Sequence, residues 1–186
     1  MLRFFFIVCS FALFSSPDLW GQTIFRSTKG SISFRSEAPL EVISASSNSL
    51  EGVIDYAAGT FAFVVPIVSF KGFNNGLQQQ HFYENYMESN KYPDASFSGK
   101  IIEDIDLTVP GTYIARAKGQ LKIHGKTQER IIRVEMISTG TEITAKADFL
   151  VPLTDHQIEV PRIVNQKIAE EIKVSVKATL SLPTRS

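Results

Sequence analysis

The sequence predicts an all-β fold: an antiparallel up-and-down β-barrel of about eight strands with one short helix. Apolar and polar residues alternate with period two from Ser31 almost to the C-terminus, which is typical of half-buried strands. Turn residues separate these segments, and only the stretch after Gly76 has apolar residues at helical spacing. With 186 residues and 44% apolar content, one domain with a sizeable core is expected.

The first 21 residues are interpreted as a signal peptide, and residues 22–186 as the mature domain. Residues 4–14 form an apolar run after a short positively charged start, and this run is too short to span a bilayer. Gly21 is a small residue at a plausible cleavage position. A buried helix or strand and an uncleaved anchor are the alternatives. The only cysteine, Cys9, is a poor lipid-attachment site because only eight residues precede it.

Export would place the mature chain in the periplasm or outside the cell. That chain would contain no cysteine and no membrane span. Its core alone would then have to stabilise the fold, which a domain of this length can achieve.

The first strands differ in how many of their faces are apolar. Ile32 and Phe34 share one face of an early strand, and residues 50–56 form a second strand. Residues 61–68 are apolar on both faces, which predicts either a central strand or one that lines a cavity and also packs outward. Pro66 cannot donate to a ladder and so predicts an edge or a bulge.

The segment at 81–99, HFYENYMESNKYPDASFSG, is unlike the strands around it. We interpret it as the end of a short amphipathic helix that finishes near Ser89 and Asn90, followed by a Tyr-Pro turn and a strand. As the one helix of a barrel, it is expected to be a lid or plug. Phe82 and Tyr86 would either gate the interior or simply cap the core.

The later strands suggest an interior with free space. Two of them, at 113–124 and 143–149, have small residues in the middle of their inward faces: Ala115, Ala117, Gly119, Ala145 and Ala147. A filled core would more often carry Val, Ile or Leu there. The pattern therefore favours a barrel over a sandwich, and a barrel of about eight strands can just hold one small ligand.

An apolar interior of this kind would suit a hydrocarbon chain. The candidate ligand-binding residues are Phe63, Phe82, Tyr86, Phe97, Tyr113, Leu121, Ile143 and Phe149. The alternative is that these inward positions are ordinary core. The protein would then be a structural or interaction module with a filled core and no small-molecule ligand.

Charge and motifs argue against other function classes. The 19 basic and 19 acidic residues balance, and no basic block indicates nucleic-acid binding. His81, His124 and His156 lack metal-ligand spacing. Asp155 beside His156 could belong to a catalytic triad, but no nucleophile elbow accompanies it. We expect no catalytic site, no metal and no cofactor.

Four segments resemble, in order, motifs of the YceI-like family. They are residues 30–34 (GSISF), 63–70 (FVVPIVSF), 81–97 (HFYENYMESNKYPDASF) and 119–125 (GQLKIHG). The last two are the more specific, and the resemblance extends over about residues 30–180.

This resemblance implies an exported, lipocalin-like barrel that binds polyisoprenoid lipids. The expected ligand is an isoprenoid or quinone-like lipid, held for sequestration or transport, and a homodimer is a further expectation. Two departures bear on the lipid headgroup rather than on the fold. Gln79 and Gln80 stand where commoner members have an Arg-Asp pair, and residues 145–150 replace an N-R-x-x-F-G pattern.

Overall fold

The computed structural model describes residues 23–183, so the predicted signal peptide and Cys9 lie outside the described residues. One helix and nine strands carry the fold. The strands are β1 (Ile24–Glu37), β2 (Val42–Ser47), β3 (Glu51–Asp55), β4 (Thr60–Pro66), β5 (Asp94–Ile101), β6 (Gly111–Ile123), β7 (Lys126–Ser138), β8 (Glu142–Pro152) and β9 (Glu171–Ser181). The helix α1 spans Gly76–His81.

Eight strands form a closed antiparallel barrel, which confirms the predicted fold. Neighbours pair in the order β1, β3, β4, β5, β6, β7, β8, β9, and β9 pairs back with β1. Strand β1 is 14 residues long, so one of its edges serves two partners. Ile24 to Arg26 pair with β3, and Ile32 to Glu37 pair with β2 along the same edge. Strand β2 therefore lies outside the eight-stranded closure.

Pro66 ends β4 rather than bulging it. The strand passes directly into a tight helical turn at Ile67–Ser69, although β4 is paired on both sides and is not an edge. The missing N–H of proline accordingly falls where the ladder stops.

One end of the barrel is filled. Phe25, Met136, Ile143 and Leu180 are almost completely buried there, and Leu107 inserts from the loop between β5 and β6. The hydroxyl of Ser138 donates to the Leu107 carbonyl at 2.6 Å, which fixes this loop across the strand ends. We call this end the closed end.

The helical segment is shorter than predicted. After α1, residues Phe82–Tyr86 form a wider π-type turn, in which the N–H of Met87 donates to the Phe82 carbonyl at 2.9 Å. Glu88 then adopts a φ of +42°, a left-handed conformation that cannot continue a helix. The chain leaves helical geometry before Ser89 and Asn90 for this reason.

Two of the segments that resemble family motifs, residues 81–97 and 119–125, contact each other beside the helix. His124 and Gly125 form a two-residue turn between β6 and β7 and have φ values of +50° and +69°, as a type I′ hairpin requires. The Tyr92 ring covers this turn, since a Cβ on Gly125 would lie 2.3 Å from it. The His124 ring donates to the His156 carbonyl at 3.1 Å and contacts the Glu88 carboxylate at 2.6 Å. These contacts tie the Tyr-Pro turn to the barrel.

His156 should make folding stability depend on pH. It is 1% exposed, and its Nδ1 lies 3.2 Å from the Lys126 carbonyl oxygen. Burial lowers the pKa of His156 below its ordinary value of 6.5 and outweighs the opposing effects of the hydrogen bond to the Lys126 backbone and of Asp155. The unfolded chain therefore takes up a proton at a higher pH than the folded one. The free energy of unfolding should be greatest above about pH 6.5 and should fall as the pH drops toward the folded-state pKa.

Urea unfolding between pH 8 and pH 5 measures this effect. His156→Gln keeps a donor for the Lys126 carbonyl but cannot titrate, so its pH dependence should be shallower than that of the wild type. The matched control is His81→Gln, because His81 is exposed. Equal slopes for His156→Gln and the wild type would contradict this account.

Candidate functional site: an apolar cavity

A cavity of about 510 Å³ lies inside the barrel between the closed end and the helix. Its wall comes from inward residues of the barrel strands, most of them apolar. Phe61 and Phe97 pack against each other in this wall with ring centroids 4.9 Å apart. Phe63 lies over Gly52 on the neighbouring strand, where a Cβ would come within 2.1 Å of the ring. The aromatic wall therefore depends on small residues beside it.

Alanines provide much of the free space. The cavity is bordered by Ala115 and Ala117 of β6, by Ala145 and Ala147 of β8, and by Ala178 of β9. Of these, Ala147 keeps intermediate exposure, whereas the other four are buried. The small inward residues thus leave an open volume beside Ala147.

Six of the eight candidate residues border the cavity: Phe63, Phe82, Tyr86, Phe97, Leu121 and Phe149. Tyr113 and Ile143 do not, which corrects the prediction that they line it. Both point inward but at the closed end: Ile143 is completely buried, and the Tyr113 hydroxyl donates to the Val109 carbonyl at 2.9 Å. Alternation indicates the face of a residue but not its height along the barrel axis.

The lid is an aromatic cluster centred on Phe82. Its ring stacks on Phe34 of β1 at 5.2 Å and also contacts Phe73 at 5.1 Å and Phe70 at 5.8 Å. The helix is further fixed by Tyr83, whose hydroxyl donates to the Phe70 carbonyl at 2.5 Å. Phe82 therefore joins the helix to the barrel and borders the cavity at once.

Gln79 has a structural role at this lid. Its side-chain amide donates to the Tyr83 hydroxyl at 2.7 Å, so it supports the residue that anchors the helix. Gln79, which belongs to one of the two departures from the family pattern, therefore helps to attach the helix to the barrel.

Phe82→Ala should loosen the lid. Removing a largely buried phenyl ring costs about 3–5 kcal/mol in a full core, and about 2–3 kcal/mol is expected here because Phe82 is only half-buried. Hydrogen exchange should rise across α1 while the strands stay protected. Phe82→Leu is the milder control. Unchanged exchange in α1 would contradict this role.

The mouth of the cavity opens beside the helix. Its rim includes the polar side chains of Glu41, Asn75, Gln78, His81 and Lys167. The Gln78 amide donates to the Glu41 carboxylate at 2.5 Å, linking the helix to the turn between β1 and β2. Burial raises the pKa of the Tyr86 hydroxyl above its ordinary value of 10.0, so this cavity residue is a neutral phenol at physiological pH.

The sequence did not predict that the loop between β8 and β9 borders the cavity. Leu153, Ile158, Val164 and Ile168 of this loop all border the cavity. The loop lies against β1, since the N–H of Ala169 donates to the Ser36 hydroxyl at 2.8 Å. These apolar residues follow neither a strand nor a helix period, so only their apolar character could have signalled them.

Within residues 23–183, no cluster of three or more His, Cys, Asp or Glu side chains could hold a metal ion. The same part of the chain contains no helix that is long and apolar enough to cross a membrane. Two of its histidines serve structure: His124 and His156 bond to backbone carbonyls.

Comparison with known proteins places this cavity in a family context. The family model described as YceI-like domain matches residues 24–180. A search among curated protein sequences gave no match.

Several solved structures share the fold. A polyisoprenoid binding domain from Saccharophagus degradans has a TM-score of 0.73 and 16% identity, over 87% of this chain and 99% of that one. BcnA of Burkholderia cenocepacia has a TM-score of 0.66 and 14% identity, over 81% of this chain and 95% of that one. The Campylobacter jejuni YCEI protein has a TM-score of 0.53 and 16% identity, over 70% of this chain and 78% of that one. Because the family model matches most of its length and the chain folds as the same barrel, the chain belongs to the YceI-like family.

Proposed function

We propose that this protein is an exported binding protein that holds a hydrophobic, lipid-like molecule in the barrel for sequestration or transport. An isoprenoid or quinone-like lipid is the ligand class we favour. The observation that carries the proposal is the apolar cavity of about 510 Å³, filled in at one end and open at the other.

The free energies favour an occupied cavity. Burying a methylene contributes about 0.8 kcal/mol, so a chain of about a dozen carbons gains roughly 10 kcal/mol before the costs of association. An empty apolar cavity also costs stability, because the side chains that line it lack packing partners. An apolar occupant would relieve much of this cost, whereas a module acting only through its surface would gain nothing from such a cavity.

The volume limits how much of a ligand can be enclosed. A cavity of about 510 Å³ falls within the range of about 300–1,000 Å³ that is usual for sites of drug-sized ligands. A long prenyl tail would therefore extend through the mouth, and a quinone ring would lie at or beyond the rim.

Two further observations support parts of the proposal. Export is supported by the sequence pattern of the first 21 residues, a short charged start and an apolar run. The isoprenoid class is supported by the Saccharophagus degradans relative, a polyisoprenoid binding domain with the same fold.

Mass spectrometry of organic extracts from the purified protein tests the proposal. We expect a co-purifying hydrophobic molecule, and we expect an added isoprenoid or quinone to exchange with it. Denatured and refolded protein, washed free of lipid, is the control for carry-over. Finding neither a bound lipid nor uptake of an added one would overturn the proposal.

A further inference from the structure

Three large apolar side chains around the cavity mouth are strongly exposed. Leu40 is 67% exposed, Leu77 is 61% exposed and Ile163 is 92% exposed. We call these three residues the apolar rim. Each comes from a different segment: the turn between β1 and β2, the helix α1, and the loop between β8 and β9.

Contacts place the three residues at the same opening. Leu77 borders the cavity itself. Ile163 is the neighbour of Val164, which also borders it. The N–H of Leu40 donates to the Gln166 carbonyl at 2.9 Å, which brings the β1–β2 turn against the loop that carries Ile163. The apolar rim therefore surrounds the mouth.

This arrangement differs from the apolar residues exposed elsewhere on the barrel. Ile131 and Ile114 are 57% and 49% exposed, but they lie on the outer wall beside charged cross-strand partners, Lys118 and Glu135. Single exposed apolar residues of that kind are ordinary on a protein surface. The rim residues instead project from a turn, a helix and a loop around the cavity mouth.

Charge around the mouth is mixed. The loop between β8 and β9 carries three acidic and two basic residues: Asp155, Glu159, Arg162, Lys167 and Glu170. Asp155 is paired with Arg130, and Glu41 lies across the mouth. A partner recognised through strong opposite charge would need a one-sided field. A bilayer that accepts apolar side chains into its interface needs none.

We propose that the apolar rim docks onto the surface of a lipid bilayer, so that the cavity mouth faces the membrane and a lipid-like molecule passes between bilayer and barrel. The proposal rests on the proposed function, because the cavity supplies the reason for docking at the mouth. A water-insoluble molecule that moves directly between the two apolar phases never has to cross water. Because acidic and basic residues are mixed around the mouth, docking depends on apolar insertion and only weakly on salt or anionic lipid.

Sedimentation with phosphatidylcholine vesicles tests the docking. The variant combines Leu40→Gln with Ile163→Gln, two residues that do not border the cavity. The control variant combines Ile114→Gln with Ile131→Gln on the outer wall. We expect the rim variant to partition at least about tenfold more weakly than the wild type, since two side chains lose their apolar burial. The control should partition like the wild type.

Uptake of farnesol dispersed in water tests ligand binding without docking, so it distinguishes a failure of the docking proposal from a failure of the proposed function. The rim variant should take up farnesol from water as the wild type does, but it should accept a prenol from vesicles more slowly. A wild type that does not bind vesicles, or a rim variant that binds them equally well, would overturn the docking proposal and would favour a protein partner at the mouth. Failure of the wild type to take up farnesol from water would contradict the proposed function instead.

Discussion

Ala147→Phe is expected to weaken lipid binding by about a hundredfold while leaving the barrel folded. Ala147 faces the cavity from β8 and keeps intermediate exposure, so a phenyl ring there would extend into open space. It would displace several methylenes of any occupant. Losing about four of them costs roughly 3 kcal/mol, which weakens binding by about a hundredfold. Stability should stay the same or rise, because the ring fills a cavity.

Calorimetric titration with a prenol, together with thermal unfolding, measures both effects. Ala62→Phe is the matched control, since Ala62 is exposed on the outer face of β4. The control should bind like the wild type. If Ala147→Phe bound the prenol with unchanged affinity, the cavity would not be the binding site.

Gly119→Ala should cause the largest loss of stability. Gly119 of β6 is paired with Gly99 of β5, and a Cβ on Gly119 would lie 2.2 Å from the Ser98 carbonyl oxygen. This neighbour is backbone and cannot move without separating the two strands. We expect the free energy of unfolding to fall by at least about 3 kcal/mol, which is in the range of severe substitutions.

Gly76→Ala is the control for this substitution. Gly76 lies in α1, and a Cβ there would meet nothing within 4 Å. Because alanine favours helix and restricts the unfolded chain, stability should be unchanged or slightly higher. Denaturant unfolding should therefore show a loss of stability for Gly119→Ala and none for Gly76→Ala. A Gly119→Ala protein as stable as the wild type would show that the close approach of β5 and β6 is not required.

The sequence predicted the architecture because alternation is a local signal. Inward residues such as Phe97, Leu121 and Phe149 were identified from period two alone, and all three border the cavity. The two glycines of the G-x-L-x-I-H-G motif are required for different physical reasons. Gly119 permits the close approach of two strands, and Gly125 sustains a type I′ turn beneath Tyr92.

Features that depend on residues far apart in the sequence could not be predicted from alternation. The height of Tyr113 and Ile143 along the barrel axis follows from strand register, which pairs Tyr113 with Met136 and Ile143 with Leu180 at the closed end. No pattern near either residue reveals this register. The closure of the barrel depends on pairing between β1 and β9, at opposite ends of the described chain. The mouth depends on the aperiodic loop between β8 and β9, which follows no strand or helix pattern.

Alanine-methyl NMR tests most directly whether the cavity holds the lipid. With alanine methyl groups labelled, a prenol of about three isoprene units would be added to lipid-free protein. The methyl signals of Ala115, Ala117, Ala145 and Ala147 in the cavity wall should shift, while those of Ala57, Ala58 and Ala62 on the surface should not. Shifts confined to the surface alanines, or no shifts at saturating prenol, would contradict the account of this barrel as a lipid-holding protein.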